Sequence, residues 1–164
     1  MKLILGIGQR LRGDDGAGLA AVKLWQSRFP ARAADPDLRV ESLELPGLAL
    51  LDYFVAVDKV LLVDAVRSGA AAGTLHWLGE ADLAGFCLGS GSAHGWGVAE
   101  TLALGRRLQP ERMPSQLAVL GIEAGELDLN EELSPVVAGV MDQAAGMIEQ
   151  WVRDAEEQGI RERG

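Results

Sequence analysis

The segment KVLLVDAV, residues 59–66, constrains the fold more than any other part of the chain. It is apolar throughout except for its lysine and its aspartate. A run of this kind is typical of a central strand that helices cover on both faces. Two further short apolar segments, KLILGIG at residues 2–8 and SQLAVLGIEA at residues 115–124, are also predicted to be strands.

Segments with helical spacing of their apolar residues lie between the predicted strands. They cover residues 17–29, 47–56, 98–108 and 135–159. Strands that alternate with helices indicate a three-layer α/β/α sandwich. We expect one α/β domain over residues 1–159, followed by a flexible C-terminal tail at 160–164.

Two more strands, at residues 38–45 and 74–80, complete a predicted sheet of five. Only the short stretch RSGAAAG separates the second of these from the central strand at 59–66. A parallel crossover needs about a dozen residues. If these two strands are neighbours they must therefore run antiparallel. The expected fold is a twisted, mostly parallel five-stranded sheet with one antiparallel strand.

Charge and composition limit the possible partners. The 24 acidic and 15 basic side chains give a net charge of −9, which argues against binding to nucleic acid or to anionic membranes and permits a basic protein partner or a cation. No apolar run reaches the roughly 18–20 residues that span a bilayer. The single cysteine, Cys87, forms no internal disulfide. We therefore expect a cytoplasmic protein without a membrane partner.

Polar side chains cluster where the predicted strands end. Asp14 and Asp15 follow the first strand, Glu44 ends the second and Asp64 lies near the end of the third. His94 lies in a glycine-rich loop before a helix. Ligands of open α/β sheets bind outside the carboxyl ends of the strands. These side chains are thus candidates for one common site.

The aspartates have structural interpretations as well as functional ones. Asp14 or Asp15 can cap the following helix, since aspartate is a favoured N-cap. Asp64 is embedded in an apolar strand, where an ionised carboxylate is costly unless it is paired or coordinated. Hydrogen bonds from loop amides, or an ion pair with Arg67, are the structural explanations for Asp64. A ligand role is the functional one.

The two histidines are interpreted differently. His94 precedes a helix, whose dipole favours the neutral imidazole that binds metals. His76 is interpreted as a strand surface residue without a function, and Cys87 as a structural residue. Asp15, Asp64 and His94 thus form a candidate three-ligand set with open coordination positions, suited to zinc, nickel or manganese.

Three motifs together carry a family resemblance. LGIGQRLRGDDGAG, LLVDAV and SAHGWGV, in this order and spacing, resemble the hydrogenase maturation endopeptidases over nearly the whole chain. The resemblance implies a five-stranded sheet with helices on both sides. It also implies cleavage of a C-terminal extension from the precursor of a nickel–iron hydrogenase large subunit. The metal-binding positions of the family match Asp15, Asp64 and His94, and Asp15 and Asp64 are the implied catalytic residues.

The resemblance also implies a cofactor and an oligomeric state. Nickel already inserted in the precursor would be the recognition signal, zinc or cadmium would substitute for it, and the protein would be a monomer. Two positions depart from the family: Gln9 stands where asparagine is usual, and the stretch LELPGLALL is short, with Glu44 and Gly47 as nearest matches. These departures concern substrate binding and leave the three candidate ligands unchanged.

The chemistry remains open at the level of sequence. A bound metal can polarise the scissile carbonyl or activate a water, and a carboxylate can act as general base. No serine or cysteine nucleophile is required. Two other functions are compatible with the same sequence: a non-catalytic chaperone of the large subunit, and an α/β domain that binds a small molecule or nucleotide.

Overall fold

The computed structural model describes residues 1–44, 47–85, 87–88 and 97–163. Its strands, in chain order, are β1 (Lys2–Gly8), β2 (Leu38–Glu44), β3 (Lys59–Arg67), β4 (Leu75–Gly79), β5 (Cys87–Leu88) and β6 (Gln116–Glu123). Five of them form a sheet in the order β2-β1-β3-β6-β4. β1, β2, β3 and β6 pair in parallel, and β4 is antiparallel to β6. The expected mostly parallel, five-stranded sheet is confirmed.

Two details of the sheet differ from a simple five-strand prediction. β4 pairs with β6, as in the register His76 to Gly121, and not with the preceding strand β3. Because β6 lies between them, the short connection after β3 leads to an antiparallel strand one position further out. In addition, the two-residue strand β5 pairs antiparallel with the end of β3.

The helices flank this sheet. The α-helices are α1 (Ala17–Arg28), α2 (Pro30–Ala33), α3 (Val98–Leu108), α4 (Pro135–Ala138) and α5 (Met141–Arg163). Residues Gly47–Phe54, predicted as an α-helix, instead form a 3₁₀ segment. The predicted continuous helix over 135–159 is interrupted at residues 139–140. Its second part continues to Arg163, so residues 160–163 of the predicted tail are helical.

Two apolar clusters, one on each face of the sheet, form the core. On one face, Leu50, Phe54 and Leu102 from the 3₁₀ segment and α3 pack against the strands. On the other face, Trp25 of α1 and Ile148 of α5 are fully buried. Each such side chain contributes about 1.5–3 kcal/mol on burial. The two clusters make the sheet the middle of three layers.

None of the helices in the described part of the chain combines the length and apolarity that crossing a bilayer requires.

Candidate functional site

Four acidic side chains are buried at the edge of the sheet where the parallel strands β1, β2, β3 and β6 end. We call this the carboxyl edge, and its buried acids are Asp14, Asp15, Asp64 and Glu123. Their exposed fractions are 0%, 2%, 0% and 2%. Buried carboxylates are rare unless they are paired, hydrogen-bonded or bound to a cation. The carboxyl edge is therefore the candidate site.

Two glycines allow the turn that carries Asp15 to pack closely on the sheet. A Cβ atom on Gly8 would lie 2.1 Å from the carbonyl oxygen of Asp15. One on Gly18 would lie 2.2 Å from the carbonyl oxygen of Val63 and 2.5 Å from that of Ile7. Since real Cβ atoms do not approach a backbone oxygen so closely, both positions require glycine.

This packing brings the segments of Asp15 and Asp64 together. The 3₁₀ turn Gly13–Gly16, which contains Asp15, contacts both β1 and β3. The residue preceding Asp64, Val63, touches Gly18 at the start of α1. The two predicted carboxylates thus lie on neighbouring segments of the carboxyl edge.

Asp14 fastens a distant loop to this turn. Its carboxylate accepts hydrogen bonds from the backbone N–H groups of Gly125, Glu126 and Ser134 at 2.9, 2.8 and 2.7 Å. It also accepts one from the Ser134 hydroxyl at 2.9 Å. Burial raises the pKa of Asp14, but these bonds together lower it below its ordinary value. The capping interpretation is wrong for Asp14, because the N-cap of α1 is Gly16 and no side chain caps that helix.

Glu123 is a functional candidate that sequence reasoning missed. Its carboxylate accepts hydrogen bonds from the Ser68 N–H and hydroxyl, both at 2.8 Å, and from the Gly69 N–H at 3.1 Å. The His76 Nε2 lies 3.0 Å from it. Burial raises the pKa of Glu123, and the Ser68, His76 and Gly69 bonds together lower it. The signal was an acidic residue at the end of an apolar strand, as for Asp64.

His76 is more than the surface residue that was predicted. Its side chain is 16% exposed and contacts Glu123. Because an ionised carboxylate only accepts hydrogen bonds, Nε2 carries the hydrogen of this contact. His76 thereby ties β4 to the end of β6.

Glu44 lies at the same edge but in a different environment. Its Oε1 is 3.2 Å from Nε of Arg10, and the two side chains are 46% and 70% exposed. An exposed pair of this kind contributes about 0–1 kcal/mol. Glu44 therefore has a partner on the surface and lacks the burial that marks the other acids.

The third predicted ligand, His94, lies outside the described residues, as does its loop at 89–96. Within the described part of the chain, no group of three or more His, Cys, Asp or Glu side chains is arranged to hold a metal ion. The set of Asp15, Asp64 and His94 therefore stays a prediction, with two members placed on adjacent segments.

A groove of about 600 Å³ adjoins the turn of Asp14 and Asp15. Gly13 and Gly16, which flank the two aspartates, line it together with apolar side chains such as Leu19. Leu11, at its rim, is 57% exposed. A partly apolar groove next to buried carboxylates can receive an extended polypeptide.

Solved structures with the same fold include two maturation proteases. The hydrogenase maturating endopeptidase HybD from E. coli has a TM-score of 0.73 at 23% identity, with 94% of this chain and 93% of that chain covered. HybD from Thermococcus kodakarensis, a [NiFe] hydrogenase maturation protease, has a TM-score of 0.69 at 22% identity, covering 92% and 98%. At these identities the likeness shows the fold.

Sequence comparisons identify the family. The hydrogenase expression/formation protein HupD of Rhodobacter capsulatus is 30% identical over 161 residues, which is 96% of this chain and 72% of the relative. HupD of Bradyrhizobium diazoefficiens is 28% identical over 148 residues, or 90% and 73%. The family model described as hydrogenase maturation protease matches residues 45–151. The chain belongs to the hydrogenase maturation protease family.

Proposed function

We propose that this protein is an endopeptidase that removes a C-terminal extension from the nickel-loaded precursor of a hydrogenase large subunit. The observation that carries the proposal is the pair of buried carboxylates, Asp15 and Asp64, on adjacent segments of the carboxyl edge. Membership of the maturation protease family supports the reaction class.

The donor set suits nickel that the precursor brings with it. A buried carboxylate keeps its charge only where donors or a cation offset the loss of water. Carboxylate and imidazole are suitable ligands for nickel, zinc and related divalent ions. In the proposal, Asp15, Asp64 and His94 bind nickel that is also held by cysteine thiolates of the precursor. Zinc or cadmium takes the same position on the free protein.

The groove beside Asp14 and Asp15 binds the extended segment to be cut. Its apolar side chains, including Leu19 and Leu133, contact the chain, and its glycines allow a close approach of backbone to backbone. The exposed Leu11 at the rim contacts the body of the precursor. Binding at two places, metal and segment, orients the scissile bond at the carboxyl edge.

The reaction is hydrolysis of one peptide bond. Nickel, when bound, polarises the scissile carbonyl. A carboxylate oxygen of Asp15 or Asp64 that does not bind nickel accepts a proton from the attacking water. The water oxygen bonds to the carbonyl carbon, the C–N bond breaks, and the proton passes to the leaving amine. The products are the mature subunit and the released extension.

The test uses the full-length protein and a nickel-loaded precursor. Wild-type protein should yield a shortened subunit by mass spectrometry, and Asp15→Ala should yield none while still folding. The same precursor without nickel should remain uncut. Protease treated with serine- or thiol-directed reagents, and freed of excess reagent before the precursor is added, should still cleave. A seryl reagent that abolished cleavage would contradict the proposal. Binding of the precursor without any shortened product would instead identify a chaperone.

A metal titration separates the peptidase from a nucleotide-binding domain. Nickel, zinc or cadmium should raise the Tm of the wild-type protein, and Asp64→Ala should remove that rise. A rise with nucleotides and none with these metals would overturn the ligand assignment.

A further inference from the structure

One short segment, which begins at the last residue of β6, touches both parts of the chain that carry the proposed ligands. We call Glu123–Glu126 the bridging segment. Its first residue binds the loop after β3 through a side chain. Its last two residues bind the turn after β1 through backbone N–H groups. Between them, the N–H of Ala124 donates to the carbonyl oxygen of Val66 at 3.0 Å.

The contact on the β3 side lies shortly after Asp64. Ser68 and Gly69, four and five residues downstream, both donate their N–H groups to Glu123, and the Ser68 hydroxyl donates to it as well. The carboxylate is 2% exposed. Hydrogen bonds to an ionised acceptor are about twice as strong as neutral ones. The chain that leaves Asp64 is therefore fixed within a few residues.

The contact on the β1 side is immediately next to Asp15. Asp14 accepts from Glu126 N–H at 2.8 Å, and its own N–H donates to the Glu126 carbonyl at 2.9 Å. The same carboxylate accepts from Gly125 and Ser134. These reciprocal bonds fix both the backbone and the side chain of the residue that precedes Asp15.

We propose that Asp14 and Glu123 are positioning residues that hold Asp15 and Asp64 in fixed relation through the bridging segment. This inference rests on the proposed function, because it assigns the two buried carboxylates a role through the metal ligands. Both ligands are then placed before metal binds, and binding needs no rearrangement of either segment. The two buried acids that bind no metal thus act on the same site as the two that do.

A buried carboxylate elsewhere in the molecule supplies the matched control. Glu149 of α5 is 5% exposed. It accepts a hydrogen bond from the Trp25 indole at 3.2 Å and one from Arg153 at 2.9 Å. Replacing it removes a buried charge and its hydrogen bonds from the layer of α1 and α5. Glu149→Gln therefore reports the effect of lost stability alone.

The experiment compares Asp14→Asn and Glu123→Gln with Glu149→Gln in the full-length protein. Cadmium affinity by calorimetry, the ¹¹³Cd chemical shift, and kcat/KM on nickel-loaded precursor are measured below the Tm of each variant. We expect Asp14→Asn and Glu123→Gln to lose about 10- to 100-fold in cadmium affinity or in kcat/KM. Their ¹¹³Cd shift should move, and Glu149→Gln should match the wild type in all three measurements.

Milder variants keep the test decisive if a carboxylate replacement fails to fold. Ser68→Ala removes one hydroxyl donor from Glu123, and Ser134→Ala removes one from Asp14. Each should lower cadmium affinity or kcat/KM by a smaller, several-fold factor and should move the ¹¹³Cd shift. Equal behaviour of the positioning variants and Glu149→Gln, with Asp15→Ala inactive, would overturn this inference and leave the proposed function standing. A wild-type protein that neither binds cadmium nor cleaves precursor would overturn both.

Discussion

The two edges of the sheet carry similar residue types in opposite environments. The opposite edge, where β1, β3 and β6 begin, is called the amino edge; there the N-terminal amino group lies 2.8 Å from Asp58, whose side chain is 73% exposed. Lys2 lies 3.5 Å from Asp35, which is 28% exposed. At the carboxyl edge, Asp14 and Glu123 are buried and accept most of their hydrogen bonds from backbone N–H groups and hydroxyls.

This difference shows which acids the fold itself holds in position. The N-terminal amino group and Lys2 pair with the acids of the amino edge, and surface pairs of this kind contribute about 0–1 kcal/mol. At the carboxyl edge, backbone N–H groups donate to Asp14 and Glu123. The amino edge also has a cleft of about 540 Å³, almost as large as the groove of about 600 Å³ beside Asp14. Buried carboxylates, more than cleft volume, therefore distinguish the site.

The largest expected difference is between two Asp→Asn variants, one at each edge. Asp64→Asn should lower the rate of precursor cleavage by about 10²- to 10⁴-fold, because it removes the negative charge of a proposed metal ligand and a proposed proton acceptor. Asp58→Asn makes the same chemical change at the amino edge and should leave the rate within about twofold. Single-turnover cleavage assays measure both. Equal losses in the two variants would remove the distinction between the edges.

A smaller effect is expected where α1 meets the carboxyl edge. Gly18→Ala places a Cβ against two backbone oxygens and should lower the free energy of unfolding by about 1–3 kcal/mol or more. Gly146→Ala is the matched control, since it lies on an exposed face of α5 with nothing within 4 Å. It should raise the free energy of unfolding by about 0.5–1 kcal/mol. Urea unfolding measures both, and a neutral Gly18→Ala would show that this edge can relax.

Acid should weaken the carboxyl edge. The folded-state pKa values of Asp14 and Glu123 lie below their ordinary values of 3.8 and 4.5. Their stabilisation is therefore complete above those ordinary values and is lost as the pH falls through the lowered ones. Each proton taken up on unfolding adds up to about 1.4 kcal/mol per pH unit to the slope of the free energy of unfolding against pH. Glu123→Gln should flatten this slope below about pH 4.5 in urea titrations at successive pH values. An unchanged slope in Glu123→Gln would contradict the claim that hydrogen bonds lower the pKa of Glu123 in the folded protein.

Much of the sheet could be predicted because its strands are short apolar runs bounded by polar or glycine residues. The residues of β1 and β3 are almost wholly buried, and their sequences show it. The partner of β4 could not be predicted, because the seven-residue connection between β3 and β4 allows β4 to pair either with β3 or with another strand nearby. Pairing with β6 depends on a strand that comes some forty residues later in the chain.

The candidate site was predictable in part for a related reason. Asp64 stood out as a charge inside an apolar strand, and Glu123 carried the same signal at the end of β6. Asp14 gave no such signal, because its partners Gly125, Glu126 and Ser134 are separated from it by 111 to 120 positions. A charge in an apolar strand indicated the burial of Asp64 and Glu123, whereas Asp14 is buried by contacts with residues far along the chain.

The long separation between Asp14 and its donors has a consequence for synthesis on the ribosome. The turn after β1 emerges early in translation, but the amides that hold it are made only after β6 is complete. Until then the turn lacks these hydrogen-bond donors, and a nascent or prematurely terminated polypeptide does not contain the complete candidate site. A chain that ends before Gly125 lacks the donors of the Asp14 carboxylate, and we expect it to be inactive in the proposed cleavage.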